Sequence, residues 1–316
     1  MKNNIFMAVF LLFFLSVSSV AQDFPVLKGK YLGQDPPGMT PELFAPGIIS
    51  TEKDEINSIF SPNGKEFFFA RDTYKNISKA GKDYTIMYMT EGESGWTKSR
   101  AAPFTGEYMC ADMFFSPDGD RLFFCTDRPP DNSNPRKDDS DIWYVERTES
   151  GWSNPRNLGS SINSIYGDWY PVMAQDRTFY FSSRRDNGKG GSDLYYSKYE
   201  NGKYYEAELL SDDINTEYNE GDSYIAKDKS YIIITSTDRP DSHGSGDFYI
   251  AFRRSDGSWT EAVNMGTVVN SNSLEYCPVI SPDEKYFFFT SRRRGNDDIY
   301  WVDAKIIDKL KPKEIK

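Results

Sequence analysis

The sequence predicts an all-β fold, a five-bladed β-propeller closed by an N-terminal strand that completes the last blade. Three observations predict it. A hairpin phrase returns five times at nearly constant spacing. Aromatic residues make up 16% of the 316 residues, and such rings fit a pleated, half-buried surface. The last repeat lacks its fourth strand, while an unmatched strand stands near the start.

The repeat is anchored on the residue that begins each tight turn: Ser61, Ser116, Ala174, Ala226 and Ser281, spaced 55, 58, 52 and 55 residues apart. Two positions later stands Asn63, Asp118, Asp176, Asp228 or Asp283. An Asx side chain can bond the local backbone there and hold the turn. An apolar strand follows each turn: EFFFA, RLFFC, TFYFS, YIIIT and YFFFT. A further strand comes next: YTIMYM, SDIWYV, SDLYYS, GDFYIA and DDIYWV. A fourth element follows Gly95-Trp96, Gly151-Trp152, Lys203-Tyr204 or Ser258-Trp259.

A lone four-stranded sheet cannot bury both faces, but sheets packed radially can. Five anchors therefore predict five blades. The fifth unit runs out after its third strand, and PELFAPGIIS (41–50) resembles PRNLGSSIN (155–163), which completes the second unit. The N-terminal strand is expected to close the ring. The expected organisation is a leader over 1–21 and one propeller over 22–316.

Leader features are concentrated at the N-terminus. Lys2 precedes an apolar stretch from Ile5 to Val17, and Ser19-Val20-Ala21 offers a small-x-small cleavage site. These are the marks of a cleavable signal peptide, with cleavage after Ala21 and a periplasmic or secreted product. No later stretch approaches the ~20 apolar residues of a membrane helix. The net charge of −11 excludes nucleic acid as an expected partner, because phosphates repel an acidic surface. The three cysteines, Cys110, Cys125 and Cys277, read as buried free thiols on strands. Cys110 and Cys125 flank one hairpin, which leaves a disulfide between them as the alternative. No Cys/His cluster has metal-ligand spacing. No metal or cofactor is expected, and the chain reads as a monomer.

The recurring SPDG…LFF.TDR…SDIWY…GW..P.NLG..INS resembles the WD-like β-propeller repeats of TolB-type bacterial proteins. The resemblance is strongest in units two and five. It weakens in units three and four, where Ala174-Gln175-Asp176 and Ala226-Lys227-Asp228 replace the Ser-Pro-Asp turn. It implies a propeller serving as an envelope scaffold, a partner of peptidoglycan-linked proteins or a module of an enzyme.

Six residues before the anchors stand Glu55, Cys110, Asp168, Glu220 and Glu275. At the entry of the innermost strands, the four acids would face one mouth of the central channel. They are candidates for binding a cation or sugar, or for glycoside hydrolysis by paired carboxylates. Their recurrence at one repeat position favours a structural brace to backbone amides or arginine, because catalytic groups need unlike environments. Tyr108, Tyr166 and Tyr218 recur eight residues before the anchors, with Trp169, Tyr170 and Tyr276 nearby. Such rings could stack on a sugar or grip a peptide, or fill the space between blades.

Arg71, Arg128, Arg184, Arg239 and Arg292, with Asp141, Asp193, Asp247 and Asp298, read as an Arg–Asp brace across each hairpin. Two long connections, 72–84 and 128–141, are candidate functional loops. The glycine-rich 186–193 joins two strands, so it is no phosphate loop. His243, the only histidine, sits in a polar loop where a catalytic triad is not expected. The functional expectation is a non-catalytic binding propeller of the cell envelope, taking a protein or glycan at the channel mouth. The alternative is a carbohydrate-active enzyme using the mouth carboxylates.

Overall fold

A computed structural model describes residues 24–73, 83–130 and 137–315. The predicted leader, most of the loop 72–84 and residues 131–136 of the loop 128–141 fall outside these residues.

Five antiparallel sheets stand around an axis. The first blade runs from its innermost strand outwards through Glu55–Phe60, Glu66–Asp72, Tyr84–Gly92 and Arg100–Ala101. The second uses Cys110–Phe115, Arg121–Thr126, Asp141–Thr148 and Arg156–Asn157. Asp168–Met173, Phe179–Ser183, Asp193–Ser197 and Glu208–Leu209 make the third. The fourth holds Asn219–Ile225, Tyr231–Thr237, Asp247–Phe252 and Val263–Asn264.

Glu275–Ile280, Tyr286–Ser291 and Asp298–Asp303 form the fifth blade, completed by Glu42–Leu43. Glu42 pairs with Trp301 and Leu43 with Tyr300. The N-terminal strand therefore closes the ring as expected. Phe44, fully buried next to that strand, meets Phe288 and Trp301 of blade five and Phe60 and Phe67 of blade one. Upstream, Tyr31 packs edge-on against Phe60 and Tyr286 and bonds the Asp283 carboxylate. The segment before the closing strand thus holds both blades at the seam.

The turn motif works as its chemistry requires. Ser116 Oγ donates to Asp118 Oδ1 at 2.6 Å and accepts the Arg121 amide at 2.9 Å. Ser61 and Ser281 repeat this arrangement. Ala174 lacks the hydroxyl, and Asp176 alone binds its turn through the Thr178 amide. After blade five the chain forms a short helix, Lys305–Leu310, which buries Ile306 and Ile307. The repeat pattern does not anticipate that helix.

The Arg–Asp brace is corrected. Asp193 accepts the amides of Lys189 and Gly190, and Asp247 those of His243 and Gly244. Asp141 binds Asn157 and Lys137, and Asp298 accepts from Asn296. These aspartates mainly organise the loops entering the third strands. Arg292 pairs instead with Asp297. All three cysteines are buried and free, so no disulfide joins Cys110 to Cys125.

Candidate functional site

The entry carboxylates Glu55, Asp168, Glu220 and Glu275 are all fully buried. Each accepts two bonds from a hydroxyl residue four positions earlier. Thr51 donates its amide and Oγ1 to Glu55 at 2.9 and 2.7 Å. Ser164 serves Asp168, Thr216 serves Glu220 and Ser271 serves Glu275 in the same way. An arginine of the same blade adds a charge: Arg71 at 2.7 Å, Arg185 at 3.2 Å, Arg239 at 3.0 Å and Arg293 at 3.3 Å. In blades three and five this arginine is one residue beyond the one the repeat singles out. Burial still pushes the Glu55 carboxyl up, against Thr51 and Arg71. In blade two Cys110 replaces the acid, and Arg128 turns to the carbonyls of Phe104 and Thr105.

The aromatic candidates are half-buried at the mouth. Arg128 lies 4.5 Å from the Tyr108 ring centre, Arg184 5.3 Å from Trp169 and Arg292 5.8 Å from Tyr276. Tyr166 bonds the Asp186 carboxylate, and Ile165 beside it is 86% exposed. Tyr218 is fixed through its amide to Thr216 Oγ1 at 3.2 Å. Arg184 is exposed and pairs with no carboxylate among the described residues.

The repeat reading passes over a third layer. Four residues before the anchors stand Asn57, Asp112, Tyr170, Asp222 and Cys277. Every innermost strand breaks register here. Asn57, Asp112, Tyr170 and Cys277 have φ of 43°, 55°, 53° and 55°. A non-glycine residue in this region costs about 1–3 kcal/mol, and a bulge re-aims its side chain. An innermost strand turns its edge to the axis, so the bulge is what points these side chains inwards.

Their contacts demonstrate it: Tyr170 joins blades that are not neighbours, and Asn57 and Asp222 bridge adjacent ones. The Tyr170 hydroxyl of blade three donates to Pro278 O of blade five at 3.1 Å and accepts from Asn57 Nδ2 of blade one at 3.4 Å. Asn57 Oδ1 accepts the Met113 amide at 2.7 Å. Asp222 Oδ2 accepts the Cys277 amide at 3.1 Å and its thiol at 3.3 Å.

Asp112 and Asp222 lie deep in the ring yet keep some accessible surface. They therefore face the axial channel rather than bulk solvent. Burial, then repulsion from Asp222, raises Asp112 well above the usual carboxylate range, against a bond with Cys125. Burial raises Asp222 to about 6, opposed by Cys277. No cationic side chain among the described residues is a cause of either shift. Burial also pushes the Cys125 and Cys277 thiols up. Towards the turn face the channel opens into a cavity of about 140 Å³, lined by Ile59, Phe114, Tyr224 and Val279 and rimmed by Pro62, Pro117 and Pro282.

The fold and the repeat define a five-bladed β-propeller. The chain is similar to the putative TolB from Agrobacterium tumefaciens, with 17% identity over 76% of this chain and 71% of that one and a TM-score of 0.48. TolB from Acinetobacter baumannii is 13% identical over 81% of this chain, which spans about half (53%) of that protein, with a TM-score of 0.47. A glycoside hydrolase aligns over 85% of this chain and 92% of its own, with 10% identity and a TM-score of 0.55. No family model and no curated protein matches the sequence. At these identities the likeness is one of fold.

Proposed function

We propose that the protein is an exported, non-catalytic propeller of the cell envelope that holds a protein or glycan partner at the mouth formed by the entries of its innermost strands. One observation carries the reading. All four entry acids are engaged within their own blades, while Trp169 and the exposed Arg184 stack together at the rim with no carboxylate on the arginine. An indole face beside an unpaired guanidinium suits a sugar ring or a peptide bearing a carboxylate. The features of residues 1–21 support export.

The test is a glycan array and a pull-down from envelope extract, followed by titration of the captured ligand. Trp169→Ala and Arg184→Ala are expected to weaken binding about tenfold or more. Unchanged affinity in both variants, with the melting temperature preserved, would remove the mouth as the site.

A second reading, a carbohydrate-active enzyme, draws support from one pair only. Asp112 and Asp222 hold protons more tightly than ordinary carboxyls, as a general acid must. Hydrolysis of a glycan panel that Asp222→Asn abolishes would favour catalysis over binding.

A further inference from the structure

The first blade already binds an extended peptide, the chain's own residues 27–29. The third strand of that blade turns back through Gly95–Trp96, with Trp96 opposite Glu91 and Gly95 opposite Gly92. In this register the Trp96 amide points out of the hairpin. It donates to Leu27 O at 2.8 Å, and the indole Nε1 donates to Gly29 O at 2.8 Å. Gly95 has φ +111°, and a Cβ there would stand 2.3 Å from Leu27 O. Glycine thus lets the incoming backbone settle onto the hairpin.

The second blade repeats this device with no described residue on it. Gly151–Trp152 pairs with Thr148 and Arg147 in the same register. The Ser153 amide bonds Glu146 O at 2.9 Å, as the Thr97 amide bonds Thr90 O at 2.9 Å. The Trp152 amide therefore points outwards too. Gly151 has φ +129°, and a Cβ there would meet nothing within 4 Å. Neither the outward amide nor the indole N–H of Trp152 donates to an acceptor among the described residues. The ring is held ready: Arg147, bound to Glu66, lies 4.1 Å from its centre. Blades three and four carry Lys203 and Ser258 where the glycine stands, so they lack the open approach.

We infer that the Gly151–Trp152 edge docks an extended polypeptide segment of a partner protein through two main-chain carbonyls spaced as in Leu27 and Gly29. This is addition of a strand to an exposed edge, where main-chain bonds supply affinity. Arg147 occupies the position of Glu91, which accepts the Gly29 amide at 2.9 Å in blade one. The second site therefore offers donors where the first also offers an acceptor, and selects a segment rich in acceptors. The edge lies on the turn face, away from the mouth, so it is a second binding surface.

A display library of random dodecamer peptides panned against the full chain tests this. Selected peptides are expected to bind Trp152→Phe, which keeps the ring and loses the Nε1–H, roughly three- to tenfold more weakly. They should bind Trp169→Ala unchanged and shift the Trp152 indole N–H resonance of the wild-type chain. Failure to select any peptide, or equal binding to a Trp152→Phe variant of unchanged melting temperature, overturns the inference. A chain that self-associates, and that Trp152→Phe keeps monomeric, would assign the edge to a second copy and equally overturn it.

Discussion

The Tyr170 hydroxyl crosses the propeller axis and donates to the Pro278 carbonyl, joining blade three to blade five at 3.1 Å. With Asn57 beneath the same hydroxyl, it forms a bar across the channel at the depth of the bulges. Tyr170→Phe keeps the ring and strands both partners. Stability to urea is expected to fall by about 1–3 kcal/mol, the cost of leaving a buried polar group unpaired. An unchanged midpoint would mean that the Pro278 carbonyl has another donor in the channel.

Asp222 makes a signed pH prediction. Its folded pKa, about 6, lies above the ordinary 3.8. The folded state therefore binds the proton more tightly, and this group's contribution to stability falls as pH rises from about 4 through about 6. Carboxylates held low, such as Asp118 and Asp228, give the opposite slope at lower pH, so the difference between variant and wild type is the quantity to read. Asp222→Asn should be the more stable protein at pH 7, on the order of 1–3 kcal/mol, and the gain should vanish near pH 4. A gain that does not change with pH would assign it to packing rather than charge.

Glu220 separates structure from catalysis. Its Oε1 receives Thr216, Ser236 and Arg239 together. Glu220→Ala leaves Arg239 facing an empty acceptor and is expected to cost about 3–5 kcal/mol. A double-mutant cycle with Arg239→Ala should recover much of that loss as coupling. A stable Glu220→Ala protein would show that this brace does not hold blade four together.

Phe44 tests the closure. It is the ring shared by the first and last blades, and Phe44→Ala should destabilise by about 3–5 kcal/mol. Hydrogen exchange at the amides of blade five and its added strand should rise more than in blade three. Uniform acceleration around the ring would mean that the seam is no weaker than the other blade contacts.

Blade number and closure were legible because they depend on spacing. Five Asx turns and an orphan strand leave little choice of topology. The axial layer was hidden for the same reason. A search for likeness discards Asn57, Asp112, Tyr170, Asp222 and Cys277, because one repeat position there mixes amide, carboxyl, phenol and thiol, and only the bulge turns them inwards. The entry acids were visible but their engagement was not. Thr51, Ser164, Thr216 and Ser271, each four residues upstream, were the available signal for it. The Arg–Asp brace failed because strand register, not recurrence, decides which side chains meet. Arg71 faces Glu55 across the first two strands of its blade.

The pairing of Leu43 with Tyr300 dictates an order of assembly. The strand Glu42–Leu43 emerges from a ribosome or a translocation pore well before Asp298–Asp303, and it finds its partner only after the four intervening blades have followed. Contacts of such sequence separation are slow to form. Until then the last blade exposes a bare edge able to take any strand offered. A chain delivered through a membrane as an unfolded thread would thus be spared a premature ring, and would depend on chaperoning until Glu42–Leu43 reaches the fifth blade.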